Sequence, residues 1–312
     1  MKKEVFSFRS TSNVCDIKAI RYIPKGEIKA ILQIAHGMQE FMGRYDDFAT
    51  YLCAKGFLVT GNDHLGHGDS VNSNDDLGYF ADKDGNRAVL NDIHMLTTIT
   101  KKEYPNIPYF LLGHSMGSFY ARQYIGEFGD ELNGAIIMGT GHQPLAVVKA
   151  GMAACRMFAL GKGWHYRSNA VNAMAFGAYN KKFEPARTSN DWLTKDEKIV
   201  DWYLNEPRCN YVFTLNGFYN MFKGISRLHD KQLLEAVPKR LPLFFVSGED
   251  DPVGDFGKGV KAAVKSLEDV GCTNIKMKLY PNDRHEILNE FDKFDVYDDI
   301  WNWINDTLKE KK

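Results

Sequence analysis

The sequence predicts an α/β protein: a mostly parallel, eight-stranded sheet flanked by helices, with a helical subdomain inserted in the middle of the chain. Three observations predict it. Short apolar runs alternate with longer amphipathic ones over the first 140 residues, the signature of βα units. That rhythm stops near residue 141 and resumes near residue 240. The chain also has 312 residues, 44% of them hydrophobic, so it can bury about three quarters of its unfolded surface without help from a metal or a disulfide.

Taken in order, Val5 to Phe8, Val14 to Ile23 and Ala30 to Ala35 read as strands, parted by turn chemistry at Ser12-Asn13 and Pro24-Lys25-Gly26. Phe57 to Asn62 is the fourth. Asn86 to Glu103 has helical character, Tyr109 to Leu112 is a strand, Met116 to Phe128 a helix and Ala135 to Met138 a strand. Leu243 to Val246 and Ile275 to Tyr280 complete the eight, with helices expected over Phe256 to Val270 and Lys293 to Leu308. Between Gly141 and Lys239 no run resembles a buried parallel strand. Helix-like stretches appear instead at Leu145 to Leu160, Asn169 to Tyr179 and Lys195 to Leu204. Residues 1–140 and 240–312 therefore read as one core, and 141–239 as an inserted subdomain.

Charge and cysteine content exclude several classes. With 39 basic and 40 acidic residues, the net charge of -1 gives no footprint for nucleic acid, and 25% charged with 13% aromatic residues is no disordered composition. Met1 to Ser10 contains no apolar signal region and no stretch of about 18 apolar residues occurs, so a soluble, cytoplasmic protein is expected. Cys15, Cys53, Cys155, Cys209 and Cys272 are odd in number and form no CxxC pair, as reduced thiols would. Charge is uneven locally: Gly141 to Phe183 has no acid but carries Lys149, Arg156, Lys162, Arg167, Lys181 and Lys182. The plain reading is a solvated helix face; the sharper one is a basic, amphipathic surface that transiently contacts a membrane or an anionic head group.

The chemistry is concentrated at three strand ends. Tyr109-Phe110-Leu111-Leu112 runs into Gly113-His114-Ser115-Met116-Gly117 and then a helix, a G-x-S-x-G pattern in strand-turn-helix context. A serine hydroxyl needs a base to take its proton and a carboxylate to orient that base. In the order this pattern demands, the acid follows the strand 243–246, within Glu249-Asp250-Asp251-Pro252, and the base follows 275–280. His285 is the only histidine after His229. Asp251 is favoured because Pro252 keeps it extended at the loop apex, with Asp250 in reserve. Oxyanion donors are expected from the backbone N–H groups of Met116, after the nucleophile, and of Met38, in the loop His36-Gly37-Met38-Gln39-Glu40. His64 and His67 beside Asp63 and Asp69 imitate metal ligands, but two glycines among them read as a structural loop; no metal or cofactor is expected. Met116, Met152, Met157, Met174 and Met221 are candidates for an adaptable acyl pocket or for ordinary core.

These segments together resemble the α/β-hydrolases of the monoacylglycerol lipase and lysophospholipase group, related to the serine aminopeptidases. The resemblance spans nearly the whole chain: HGMQEFMGRY at 36–45, NDHLGHGDS at 62–70, GHSMGS at 113–118, GEDDPV at 248–253 and RHEILNE at 284–290. It implies Ser115, Asp251 and His285 as triad, the Met38 and Met116 amides as oxyanion hole, and a small lipid-derived ester as substrate. Asp191 to Asp196, DWLTKD, resembles the family's cap. Where the family has HGxGEH, Gln39 and Phe41 replace the glycine and the histidine, so the adjoining pocket should be reshaped. A peptidase of the proline-iminopeptidase kind would use the same triad, and a noncatalytic ligand receptor would use the same fold.

Overall fold

The computed structural model describes residues 1–310. Its sheet contains β1 (Lys2–Arg9), β2 (Asp16–Ile23), β3 (Ala30–Ala35), β4 (Phe57–Asn62), β5 (Tyr109–His114), β6 (Gly134–Met138), β7 (Leu243–Gly248) and β8 (Ile275–Tyr280). The spatial order is β1-β2-β4-β3-β5-β6-β7-β8. The pairs β1 with β2 and β2 with β4 are antiparallel, and every pairing from β4 across to β8 is parallel. The helices are α1 (Asp46–Ala54), α2 (Gly85–Glu103), α3 (Met116–Phe128), α4 (Leu145–Lys162), α5 (Asn169–Phe176), α6 (Glu197–Asn205), α7 (Leu215–Arg227), α8 (Lys231–Ala236), α9 (Lys258–Glu268) and α10 (Lys293–Glu310). All eight expected strands form, with ends displaced by a few residues.

The period of two along each central strand divides the core into two layers. Ile31, Leu111, Ile137 and Phe245 face one side, packed with residues of α2, α3, α7 and α9. Their neighbours Leu32, Leu112, Ile136 and Phe244 face the other, packed with residues of α1 and α10. Strands buried on both faces read as continuous apolar runs, which is why they were legible.

Helices α1, α7 and α8 lie outside the sequence expectation. For α7 the reason is its composition, which includes Gly217, Gly224, Asn216 and Asn220, all weak helix formers. Close packing selects them. A Cβ on Gly217 would lie 2.1 Å from the Gly78 carbonyl oxygen, and one on Gly224 would lie 2.4 Å from Asn86 Nδ2. The two asparagines accept from the Phe80 and Asn86 N–H groups, each at 3.0 Å. The Thr214 side chain caps the helix by accepting from Gly217 N–H at 3.1 Å.

The loops after β3 and β4 lie side by side and are joined by histidines. His36 Nε2 accepts from the His64 N–H at 2.9 Å, so His36 Nδ1–H donates to Gly37 O at 2.7 Å. His64 Nε2–H returns to His36 O at 3.0 Å, and the His36 and His64 rings lie 4.0 Å apart. His67, fully buried, donates to Leu65 O at 3.3 Å. Burial disfavours the imidazolium form, pushing His64 down to about 4 and His67 to about 3.

Two predictions follow from this packing. Trp303 of α10 covers Gly134 and the Phe110 and Phe244 rings; Trp303→Ala should cost about 3–5 kcal/mol in urea unfolding. Phe294→Ala on the exposed side of the same helix should cost less than about 1 kcal/mol. Equal losses would show that α10 is not anchored through Trp303. The second concerns acid. An unfolded His67 binds a proton below its ordinary value of 6.5 while the folded one does not until about 3, so this residue withdraws stability as pH falls through that window. Asp63, which burial raises to about 6, acts in the opposite sense, so a comparison of variants isolates the histidine. Relative to wild type, His67→Gln should regain about 2–3 kcal/mol between pH 7.5 and 4.5. A stability gap that does not change with pH would refute the assignment.

Candidate active site

Strand β5 ends in Gly113-His114 and passes directly into α3 at Ser115. The turn forces Ser115 to φ 53° and ψ -120°, a left-handed conformation that costs a non-glycine residue about 1–3 kcal/mol. Glycine is required on both sides. A Cβ on Gly117 would lie 2.0 Å from the Ala35 carbonyl oxygen, and one on Gly113 would lie 2.3 Å from the Gly117 carbonyl oxygen. Helix α3 thus meets the end of β3 backbone to backbone. The Ser115 N–H donates to Met138 O at 3.0 Å, anchoring the turn to β6. Gly37 lies against the serine, since a Cβ there would be 3.0 Å from Ser115 Cβ. Met116 opens α3, and first-turn N–H groups have no acceptor within a helix. Met38 and Met116 line one cavity with Ser115 and His285.

The candidate acid and base come from the ends of β7 and β8. His285 Nδ1–H donates to Asp251 Oδ1 at 3.0 Å, and both residues are buried. Asp251 also accepts from Val253 N–H at 2.9 Å and Ser247 Oγ–H at 3.0 Å, so its carboxylate is fixed from two further directions. With Nδ1 donating, Nε2 is the basic nitrogen of His285. Asp250 faces outward and pairs with Lys182 Nζ, and Glu249 is exposed. Of the three adjacent acids, Asp251 is the one brought to the imidazole.

A buried ionic network beneath these loops was not anticipated. Glu40 Oε1 accepts from Gly37 N–H, from Tyr45 Oη–H at 2.9 Å and from His114 Nδ1–H at 2.9 Å. Arg44 reaches Glu40 Oε2 at 3.1 Å and grips Glu286 with two bonds of 2.7 and 2.8 Å. Burial opposes charge on His114, but the touching Glu40 carboxylate prevails and raises its pKa. For Glu286, burial alone would raise the pKa; Arg44 more than reverses that, and the carboxyl is held below its ordinary range. The available sequence signal was Glu40 and Arg44 four residues apart, with a third ion, Glu286, next to His285.

The cavity encloses about 1010 Å³ between protein atoms, open solvent at its mouth included. Phe119, Val148, Phe176, Trp192, Met221 and Phe222 make its wall mainly apolar. Met116, Met174 and Met221 line it; Met152 and Met157 do not, and Met157 is exposed. Gln39, with φ 56°, lines it and bonds Tyr211 O. Phe41 turns away from it, into a cluster with Leu193, Tyr203 and Cys209 beneath the Arg208 guanidinium, 3.8 Å from the ring centre. His64, His67, Asp63 and Asp69 are divided between loop bonds: Asp63 accepts from the Met42 and Asp69 N–H groups at 2.8 and 2.9 Å.

Known proteins resemble this chain in sequence and fold. The chain is 24% identical to the monoacylglycerol lipase of Mycolicibacterium smegmatis, covering 96% of this chain and 98% of that protein. It is 25% identical to the human monoglyceride lipase, covering 90% and 84%. A solved structure described as a highly thermostable carboxyl esterase from Bacillus coagulans, in complex with glycerol, superimposes with a TM-score of 0.91 at 31% identity, over 98% of this chain and 99% of that one. Residues 26–292 match the hydrolase family model described as serine aminopeptidase, S33. With the strained serine turn and the eight-stranded sheet in place, this chain belongs to that family of α/β-hydrolases.

Proposed function

We propose that the protein hydrolyses carboxylic esters of lipid origin, a monoacylglycerol or lysophospholipid, through an acyl-enzyme at Ser115. The observation that carries this reading is the buried Asp251–His285 pair opening onto the same apolar cavity as Ser115. Ser115 Oγ attacks the ester carbonyl while His285 Nε2 takes its proton. Asp251 holds the ring and stabilises the imidazolium. The Met38 and Met116 N–H groups receive the oxyanion, each worth about 3 kcal/mol. His285 then protonates the departing alcohol; water, deprotonated by the same nitrogen, attacks the acyl-enzyme, and the imidazolium returns that proton to Ser115 Oγ as the fatty acid is released. These residues need no metal or cofactor.

Residues 141–239 act in this reading as a cap over the acyl cavity, and the protein works in the cytoplasm. All five cysteines are free and buried, and among the described residues no helix is long and apolar enough to cross a membrane. Of the six cations between 141 and 183, Lys182 and Arg167 are engaged within the fold. Arg156 is exposed but donates to Tyr219 Oη and lies over its ring, while Lys149, Lys162 and Lys181 are exposed, and α4 also exposes Met157 and Leu160. These exposed groups suit transient contact with an anionic lipid surface.

Ser115→Ala and Asp251→Asn should each lower turnover of p-nitrophenyl octanoate by roughly 10⁴-fold, while Asp250→Asn should stay within about twofold of wild type. Undiminished turnover by Ser115→Ala would end the reading. A strong preference for acetate over C8 to C12 esters would remove the lipid substrate, and release of amino-terminal residues from peptides with little esterase activity would favour a peptidase. In flotation, the protein should bind vesicles containing phosphatidylglycerol. Charge reversal at Lys149, Arg156 and Lys162 should abolish that binding; equal binding to pure phosphatidylcholine would argue against a role for charge.

A further inference from the structure

Two residue runs not joined in sequence meet around the base. Asp191 to Asp196 precedes α6, in the segment between β6 and β7; Asp283 to Glu290 follows β8. The His285 N–H donates to Trp192 O at 3.4 Å and the Glu286 N–H to Leu193 O at 2.7 Å. Lys195 Nζ donates to Asp283 Oδ1 at 2.7 Å. The Glu290 carboxylate binds both runs, accepting from Lys195 N–H at 3.1 Å and from Arg284 N–H at 2.9 Å. Thr194 Oγ1 donates to Asn289 O at 3.2 Å, and the Arg284 guanidinium reaches back to the Asp191 and Thr194 carbonyls. The Trp192 ring lies 5.1 Å from the His285 ring.

This bonding exceeds what a cover needs. A lid that only shields the cavity requires apolar contacts at its rim, whereas here two main-chain carbonyls and a cation support the loop that carries the imidazole. Asp283 and Glu290 are almost fully buried, and a buried carboxylate left without its partner is costly enough to move its loop or take up a proton. On the opposite side the loop is held by Asp250 N–H, which donates to Asp283 O at 2.8 Å. His285 therefore hangs between the acid loop and this strap.

We propose that Trp192 to Lys195 is a positioning element for the base, and that Lys195, clamped to Asp283, sets the His285 ring for proton transfer. The proposal rests on the reading of His285 as the base. A ring displaced by about 1 Å can lose roughly 100-fold in rate, while substrate binding in the apolar cavity is left alone.

Kinetics with p-nitrophenyl octanoate test it, on variants whose circular dichroism matches wild type. Lys195→Met should lower kcat by roughly 10- to 100-fold and leave KM within about twofold; Lys195→Gln, a second lesion of the same charge, should do the same. Lys195→Arg should restore most of kcat. Wild-type kcat in Lys195→Met or Lys195→Gln, a loss confined to KM, or an arginine variant as poor as the methionine one would each overturn the proposal. Ser115→Ala run beside them separates the two readings: if it is inactive while Lys195→Met is normal, only the strap fails. Activity in Ser115→Ala would overturn the base assignment as well.

Discussion

A charge that water cannot reach governs the active end of this molecule. Glu40 is buried within the loop after β3, and an ionised carboxylate there is tolerable only if its oxygens are filled with donors. Those donors come from the loop's own Gly37 N–H, from Tyr45, from His114 next to the serine, and from Arg44, which carries the connection to Glu286 next to the base. One buried anion thus ties together three loops that arrive from distant parts of the chain. Breaking a buried pair costs about 3–5 kcal/mol, so each loop has little freedom to leave while the others remain.

That constraint explains how a strained serine can persist. The conformation of Ser115 opposes folding by about 1–3 kcal/mol, and the two bonds its carbonyl accepts from Ser118 belong to the turn itself. The surroundings hold it. Backbone contact at Gly113 and Gly117, the bond from Ser115 N–H to Met138 O, and two apolar layers around β3, β5 and β6 leave no relaxed alternative. The order of strands then determines where chemistry can occur: β3 and β5 are neighbours, the connection from β3 leads to β4 on one side and that from β5 to β6 on the other, and a crevice opens between their ends.

The sequence revealed the features that depend on local pattern. Buried parallel strands appear as apolar runs, and Gly113-His114-Ser115-Met116-Gly117 and the single late histidine are local facts. What stayed hidden depends on contacts across the chain. The choice between Asp250 and Asp251 was open because the turn over Glu249 and Asp250 aims adjacent side chains in different directions, and only the positions of Lys182 and His285 decide which is inside. Helix α7 was hidden because its glycines and asparagines serve its neighbours rather than its own backbone. The Glu40 network joins residues 242 positions apart in its longest link, and no window along the sequence brings Arg44 beside Glu286.

The same reasoning bears on the segment between β6 and β7. An insertion at the carboxyl end of a parallel sheet is easily read as an optional cover, because loops there can lengthen without disturbing the core. Here Trp192 and Leu193 supply carbonyl acceptors to the loop after β8, and Lys195 pairs with Asp283, an acid buried at the end of that strand. The dependence is mutual, since Arg284 and Glu290 satisfy backbone groups of the insertion. On the proposed function, enclosing an apolar substrate and holding the imidazole become one structural requirement: a movement that admits a long acyl chain must spare residues 191–196 or release His285, whereas Val147 of α4 and Met174 of α5 line the cavity and are exposed.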